Sequence, residues 1–164
     1  MATRAEITGA IQQGLAAVDE TFGNLTDEQL ATEIYESGWT AKEVLAHLAG
    51  RQGTYDMLFS LAEGGELPQP PGGDFDVDHW NQQIVDQHID KSRDELIAQS
   101  RSVHEALLER IAALDDETLN ATVVTPRGEM VASDVLAGSG GMHSVSHSAD
   151  VARALGLDEG VGSG

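Results

Sequence analysis

His143 and His147 stand four residues apart in the segment Gly-Met-His-Ser-Val-Ser-His-Ser, and His47 lies far earlier in Val-Leu-Ala-His-Leu-Ala-Gly. On an α-helix, positions i and i+4 fall one above the other on one face, so the pair can present two imidazoles to a single divalent cation. A third imidazole from another helix would leave a coordination position open, the pattern of a catalytic rather than a structural site. His47, His143 and His147 are therefore the candidate metal ligands. Neutral imidazole suits zinc first, and nickel as well.

Other residues carry weaker signals. Arg51 lies one turn beyond His47 and can anchor a substrate carboxylate, although in so acidic a chain a surface ion pair is the commoner role. Asp150 follows His147 by three residues and either orients an imidazole or is a solvated helix charge. His88 follows Trp80 and Ile84 at four-residue steps and can face the bundle near the site, a ligand role being the less expected one. His104 is expected at a boundary, and His79 near a helix start. Trp39 and Trp80 read as packing residues, and either can line a pocket.

Composition excludes several chemistries. The 164 residues suffice for one domain with one core. There is no cysteine, so disulfides, thiolate metal sites and a cysteine nucleophile are out, and any sulfur nucleophile must be a small-molecule thiol. The formal charge is -19, from 28 acidic and 9 basic residues, and such a surface repels nucleic-acid phosphates and anionic lipid heads. No apolar run approaches the ~20 residues needed to span a bilayer, and the first residues have no apolar core of a secretory signal. A cytoplasmic protein is expected, acting on a small-molecule substrate, with a homodimer admitted and neither nucleic acid nor membrane as partner.

Four helical stretches must position the histidines. In the first, about residues 3–22, Ile7, Ile11, Leu15, Val18 and Phe22 form an amphipathic stripe. A connector with a short helical turn follows at Asn24–Leu30. Thr40-Ala-Lys-Glu43 is a capping-box signature that starts the second helix, expected to run to about Ala62. Residues 63–74 are too rich in Gly and Pro for a regular element and form a long loop. The third helix is expected from Val77 to Leu114, with a bend near Ile89-Asp90. Residues 115–130 form a connector in which Thr122-Val-Val-Thr125 can be extended and Thr125-Pro-Arg-Gly128 turns. The fourth helix is expected over Ala132–Leu155. Residues 1–157 then make a single domain, with 158–164 a flexible tail.

The spacing constrains topology. His47 lies seven residues after the expected cap of the second helix, and His143 and His147 lie twelve and eight before the expected end of the fourth. At ~1.5 Å rise per residue the two sets reach the same depth if these helices are antiparallel, and miss by ~10 Å if parallel. With a long crossover between the second and third helices, an up-down-down-up bundle satisfies the requirement.

The segment Gly38-Trp-Thr-Ala-Lys-Glu-Val-Leu-Ala-His47-Leu-Ala-Gly resembles the second helix of the DinB-like superfamily, which includes the N-terminal domain of mycothiol-dependent maleylpyruvate isomerase. Trp80-Asn81, the Thr-Pro-x-Gly turn and the His-x-x-x-His of the fourth helix match its pattern in order and spacing. The resemblance implies an all-α, four-helix bundle of up-down-down-up topology with long crossover connections. It implies a metal held by His47, His143 and His147. It also implies a divalent-metal-dependent enzyme that activates a low-molecular-weight thiol or water for transfer, isomerisation or hydrolysis. The alternative is a non-enzymatic protein that binds a metal or small ligand in a stress or resistance role. The departure from the pattern is Gly138, Gly140 and Gly141 ahead of the histidine pair, which either allow close helix contact or leave room for a ligand.

Overall fold

The computed structural model describes residues 1–68 and 73–158. Part of the expected Gly/Pro loop (69–72) and nearly all of the expected tail (159–164) lie outside the described residues. The chain is mostly helical: α1 Arg4–Phe22, α2 Asp27–Leu30, α3 Ala41–Ala49, α4 Gln52–Ala62, α5 Val77–His88, α6 Arg93–Ala113, α7 Asp116–Leu119, the strands β1 Thr122–Thr125 and β2 Gly128–Val131, then α8 Ala132–Ala137, a π-helical turn Gly138–Met142, and α9 His143–Ala154. Among the described residues no helix is long and apolar enough to cross a membrane.

Local chemistry explains most of the starts. Thr3 and Glu6, Thr40 and Glu43, and Ser92 and Glu95 each form a reciprocal capping box. In each, the hydroxyl accepts from the third backbone N–H while the carboxylate accepts from the cap N–H, which satisfies two otherwise orphaned donors. The connector 115–130 is more ordered than expected. Asp115 caps α7, and the strands β1 and β2 form a hairpin with Thr122 opposite Val131 and Thr125 opposite Gly128.

The four rods of the bundle are α1, α3–α4, α6 and α8–α9, and contacts between them fix their directions. Ala2 and Asp134 meet at one end of α1 and the fourth rod, and Gly14 and Gly141 meet midway, so these two run parallel. Gln99 meets Ala49 and Arg110 meets Asp56, so α6 runs parallel to the second rod. His47 meets His143 and Arg51 meets Ser139, so the second and fourth rods are antiparallel. The order is up-down-down-up.

Two expected helices are interrupted. The second breaks at Gly50–Arg51, and α5 packs across that break. There, a Cβ at Gly50 would collide with Ile84 and His88, and Trp80 donates from its indole nitrogen to Thr54 at 3.0 Å. The third does not merely bend: α5 ends at His88, and a new, fully capped helix begins after Ser92.

The fourth helix is widened by its π turn. Leu136, Gly140, Ser144 and Ser148 are buried at four-residue intervals. Over those twelve residues a straight α-helix would drift by ~120°, and the wider turn takes up part of that drift. The glycines here serve close contact. A Cβ on Gly14 would lie 2.7 Å from the Gly141 carbonyl oxygen, and one on Gly141 would run into the Ala10 backbone. Gly138, by contrast, faces open space.

The apolar core is in two parts. One gathers Ile7, Ile11, Phe59, Leu107, Ile111 and Leu136; the other gathers Val18, Phe22, Leu45, Leu48, Leu96 and Val151. At intermediate positions along the rods lie buried polar residues: His47, Arg51, Ser100, His104, Ser144 and Ser148. This polar waist holds the candidate site.

Candidate metal centre

His47 points inward from the last turns of α3 and is 2% exposed, while His143 and His147 face it, partly buried, from the first turns of α9. One nitrogen from each ring can be chosen so that all three lie within 4.8 Å of one another. The Nε2 atoms of His47 and His143 are 2.8 Å apart. The ring of His147 lies edge-on to both, with centroids at 5.4 Å from His47 and 4.4 Å from His143. The fold thus brings together the three histidines singled out by spacing.

The cluster is held neutral. Burial pushes the His47 imidazole down to about 3, helped by the nearby Arg51 guanidinium and by His147. Burial and Arg51 also lower His143 and His147, and Asp150 partly opposes this at His147. Removing an ionised group from water disfavours its charged form, and a neighbouring cation adds to the cost. Near neutral pH all three rings therefore carry free lone pairs, the state a metal requires. Buried His47 Nδ1 has no hydrogen-bond partner among the described residues. Three neutral imidazoles from two helices, with one nitrogen of each within 4.8 Å of the others, fit a divalent cation of zinc or nickel type.

Around the triad, several side chains fix orientation. The Tyr35 hydroxyl lies 2.7 Å from His147 Nδ1 and donates to Asp150 Oδ2 at 2.6 Å. Burial and Asp150 hold the Tyr35 phenol well above its ordinary value, so it stays protonated. With its proton given to Asp150, Tyr35 accepts from His147 Nδ1–H, which leaves Nε2 of His147 with the lone pair. Asp150 therefore does reach an imidazole, through a tyrosine that sequence reading passed over. Nothing local linked Tyr35 to His147, 112 positions away. Trp39 packs beside His47 with ring centroids 5.2 Å apart and donates its indole N–H to Gln82, so it lines the site. Glu43 completes the capping box of α3, its carboxylate accepting from the Thr40 N–H.

Two other expectations are corrected. Arg51 makes no surface ion pair; it is 5% exposed and its Nη2 donates to Ser139 Oγ at 2.6 Å. His104 is not at a boundary but fully buried, with Ser144 of α9 against its ring. Its Nδ1–H donates to the Ser100 carbonyl at 2.7 Å, and its Nε2 accepts from Ser144 Oγ at 3.3 Å. His88 stands outside the cluster with Nδ1 at 3.3 Å from Gln99, and His79 lies in the first turn of α5. A surface depression lined by Leu30, Lys42, Glu43, Ile89 and Arg93 contains none of the three histidines.

Comparison with known proteins supports the architecture. A family model described as the DinB superfamily matches residues 10–147. No curated protein matches the sequence. Among solved structures, YfiT from Bacillus subtilis, described as a probable metal-dependent hydrolase with an unusual four-helix bundle topology, superposes with a TM-score of 0.70 at 18% identity, over 93% of this chain and 87% of that one. The mycothiol-dependent maleylpyruvate isomerase superposes with a TM-score of 0.69 at 17% identity, over 92% of this chain but only 61% of the isomerase chain. The colibactin self-resistance protein ClbS, solved in complex with a double-stranded DNA, superposes with a TM-score of 0.72 at 11% identity, over 93% of this chain and 94% of ClbS.

Proposed function

The chain belongs to the DinB superfamily, and we propose that it is a divalent-metal-dependent enzyme in which His47, His143 and His147 hold the cation. The observation that carries this reading is the convergence of three ring nitrogens, all within 4.8 Å, from two separate helices. Zinc is the first expectation and nickel the second. A cation bound there supplies Lewis acidity that lowers the pKa of a coordinated water or small-molecule thiol. The chain's own residues bind and orient: the imidazoles stay neutral through burial, Tyr35 and Asp150 fix the tautomer of His147, and Trp39 shields His47. The reaction class is transfer, isomerisation or hydrolysis at an electrophilic carbon, and any thiol is a low-molecular-weight cofactor, because the chain has no cysteine.

This reading takes residues 1–157 as one cytoplasmic domain that acts on a small molecule, alone or as a homodimer. Nucleic acid is not a proposed partner: a formal charge of -19 repels phosphates, and the complex with double-stranded DNA is described for ClbS, which is 11% identical to this chain. A second reading is a binder of metal or small ligand without turnover. It is favoured by the engagement of Asp150, the carboxylate linked to the cluster, with Tyr35 and Arg153.

Elemental analysis of protein purified without an affinity tag, beside His47→Ala, tests the metal site. Near-stoichiometric metal in the parent and a large loss in the variant are expected; equal content in both removes His47 from the proposal. Titration with thiols and electrophiles then separates enzyme from binder, since metal-requiring turnover supports the first and tight binding without turnover the second.

A further inference from the structure

Among the described residues, Arg51 is a cation without a counter-ion. Five other arginines (Arg4, Arg93, Arg101, Arg110 and Arg153) each pair with an aspartate near the surface. Arg51, more buried than any of these, makes no ion pair among the described residues, in a chain with 28 acidic side chains. A guanidinium offers five N–H donors and does not give up its charge in proteins. Among the described residues one hydrogen bond is made, from Nη2 to Ser139, while Nε and Nη1 are buried without partners. The Tyr55 ring lies 5.3 Å from the guanidinium carbon, and the Tyr55 hydroxyl is itself buried without a partner. One neutral hydrogen bond and one aromatic face do not offset the desolvation of a full charge.

We propose that Arg51, whose guanidinium lies over the Tyr55 ring, is the receptor for a substrate carboxylate next to the histidine cluster. With one Nη2 hydrogen committed to Ser139, a complete two-donor edge of the guanidinium remains, which matches the two oxygens of a carboxylate. A single negative charge balances the single buried positive one. A phosphate would bring further oxygens and nearly twice the charge, with no additional cation engaged there. The placement also fits: Arg51 stands one turn beyond His47 and its Ser139 partner one turn before His143, so a group held on the guanidinium lies beside the three imidazoles. Ser139 is only half-buried, which sets the edge of the receptor near the surface. The inference deepens the proposed function, on which it rests for the reaction itself: the electrophile is a small molecule that carries a carboxylate.

The test uses the full chain stripped of metal, so that the anion site and the metal site are read separately. Acetate, chloride and inorganic phosphate are titrated at pH 7.5 and constant ionic strength, with the melting temperature and the Arg51 Nε–H resonance as readouts. Acetate should raise the melting temperature and move the resonance saturably. Arg51→Met should melt higher than the parent without ligand, because an unpaired buried charge is gone, and should lose the acetate response. Arg51→Lys should weaken acetate at least tenfold. A merely structural Arg51 would instead destabilise on Arg51→Met. Absence of a saturable acetate shift in the parent, its survival in Arg51→Met, or saturation by phosphate or chloride alone would overturn the proposal. The resonance titration decides even if Arg51→Met does not fold. Acetate binding in a protein that takes up no metal would keep the receptor and remove the metal reading; metal uptake without acetate binding would do the reverse.

Discussion

The polar waist of the bundle contains two histidine sites of opposite character. On one side, His104 has both ring nitrogens engaged, by the Ser100 carbonyl and the Ser144 hydroxyl, and no part of it reaches solvent. On the other side, His47 leaves Nδ1 without a partner, sets Nε2 against the Nε2 of His143, and sits beside a guanidinium with unused donors. Burial lowers the basicity of both His104 and His47. The difference lies in satisfaction. A buried polar group that has its partners is a structural clasp, whereas one that lacks them implies a ligand.

The sharpest way to break this contrast is to remove a member of the unsatisfied site. His47→Gln, close in volume, should drop bound metal from near one per chain to below about a tenth, since an open three-histidine site depends on each ligand; elemental analysis of untagged protein reads this directly. Retained metal would make the two sites alike. The converse change is His104→Ala. It should leave metal content unaltered while lowering stability by ~2–4 kcal/mol, from the lost ring volume and the stranded Ser144 hydroxyl. Urea denaturation measures it, and a loss of metal instead would place His104 in the metal centre.

A smaller effect is expected at Tyr35, which joins the triad to Asp150. Tyr35→Phe should weaken metal affinity by ~10–100-fold with little change in the stability of metal-free protein. Competition with a chelator of known affinity would show it, and unchanged affinity would reduce the Tyr35 contact to packing. The smallest effect near neutral pH is the proton linkage. The folded imidazoles are less basic than in the unfolded chain, so the unfolded state binds more protons at acid pH and stability rises with pH. Metal-free protein should therefore lose stability as pH falls from ~6.5, the ordinary histidine value, towards the value of about 3 at His47. His47→Gln should flatten that decline; a stability profile equally steep in parent and variant would assign it to other groups.

How much of this was legible in the residues depends on the range of the interaction. The Thr40–Glu43 cap and the four-residue step from His143 to His147 are local, and both survive in the fold as read. The Ser92-Arg-Asp-Glu95 box is equally local, yet the sequence reading runs a single third helix through it with a bend near Ile89-Asp90. The cap wins because it provides a helix start with satisfied donors, and the chain before it packs over Gly50 instead. The glycines before His143 admitted two explanations, and contact with Ala10 and Gly14 of α1 selects close approach for Gly141.

The sequence alone determined the helical class, the acidic surface, the absence of a cysteine nucleophile and the depth at which three histidines can meet. These follow from composition and from the fixed rise of a helix. Only the tertiary structure decided that Arg51 loses its solvent, that His104 is sealed, and that Tyr35 stands between His147 and Asp150. Those outcomes depend on which faces of separate rods close on one another. Desolvation and hydrogen bonding are properties of that closed packing, and residues distant in the chain acquire them only when it forms.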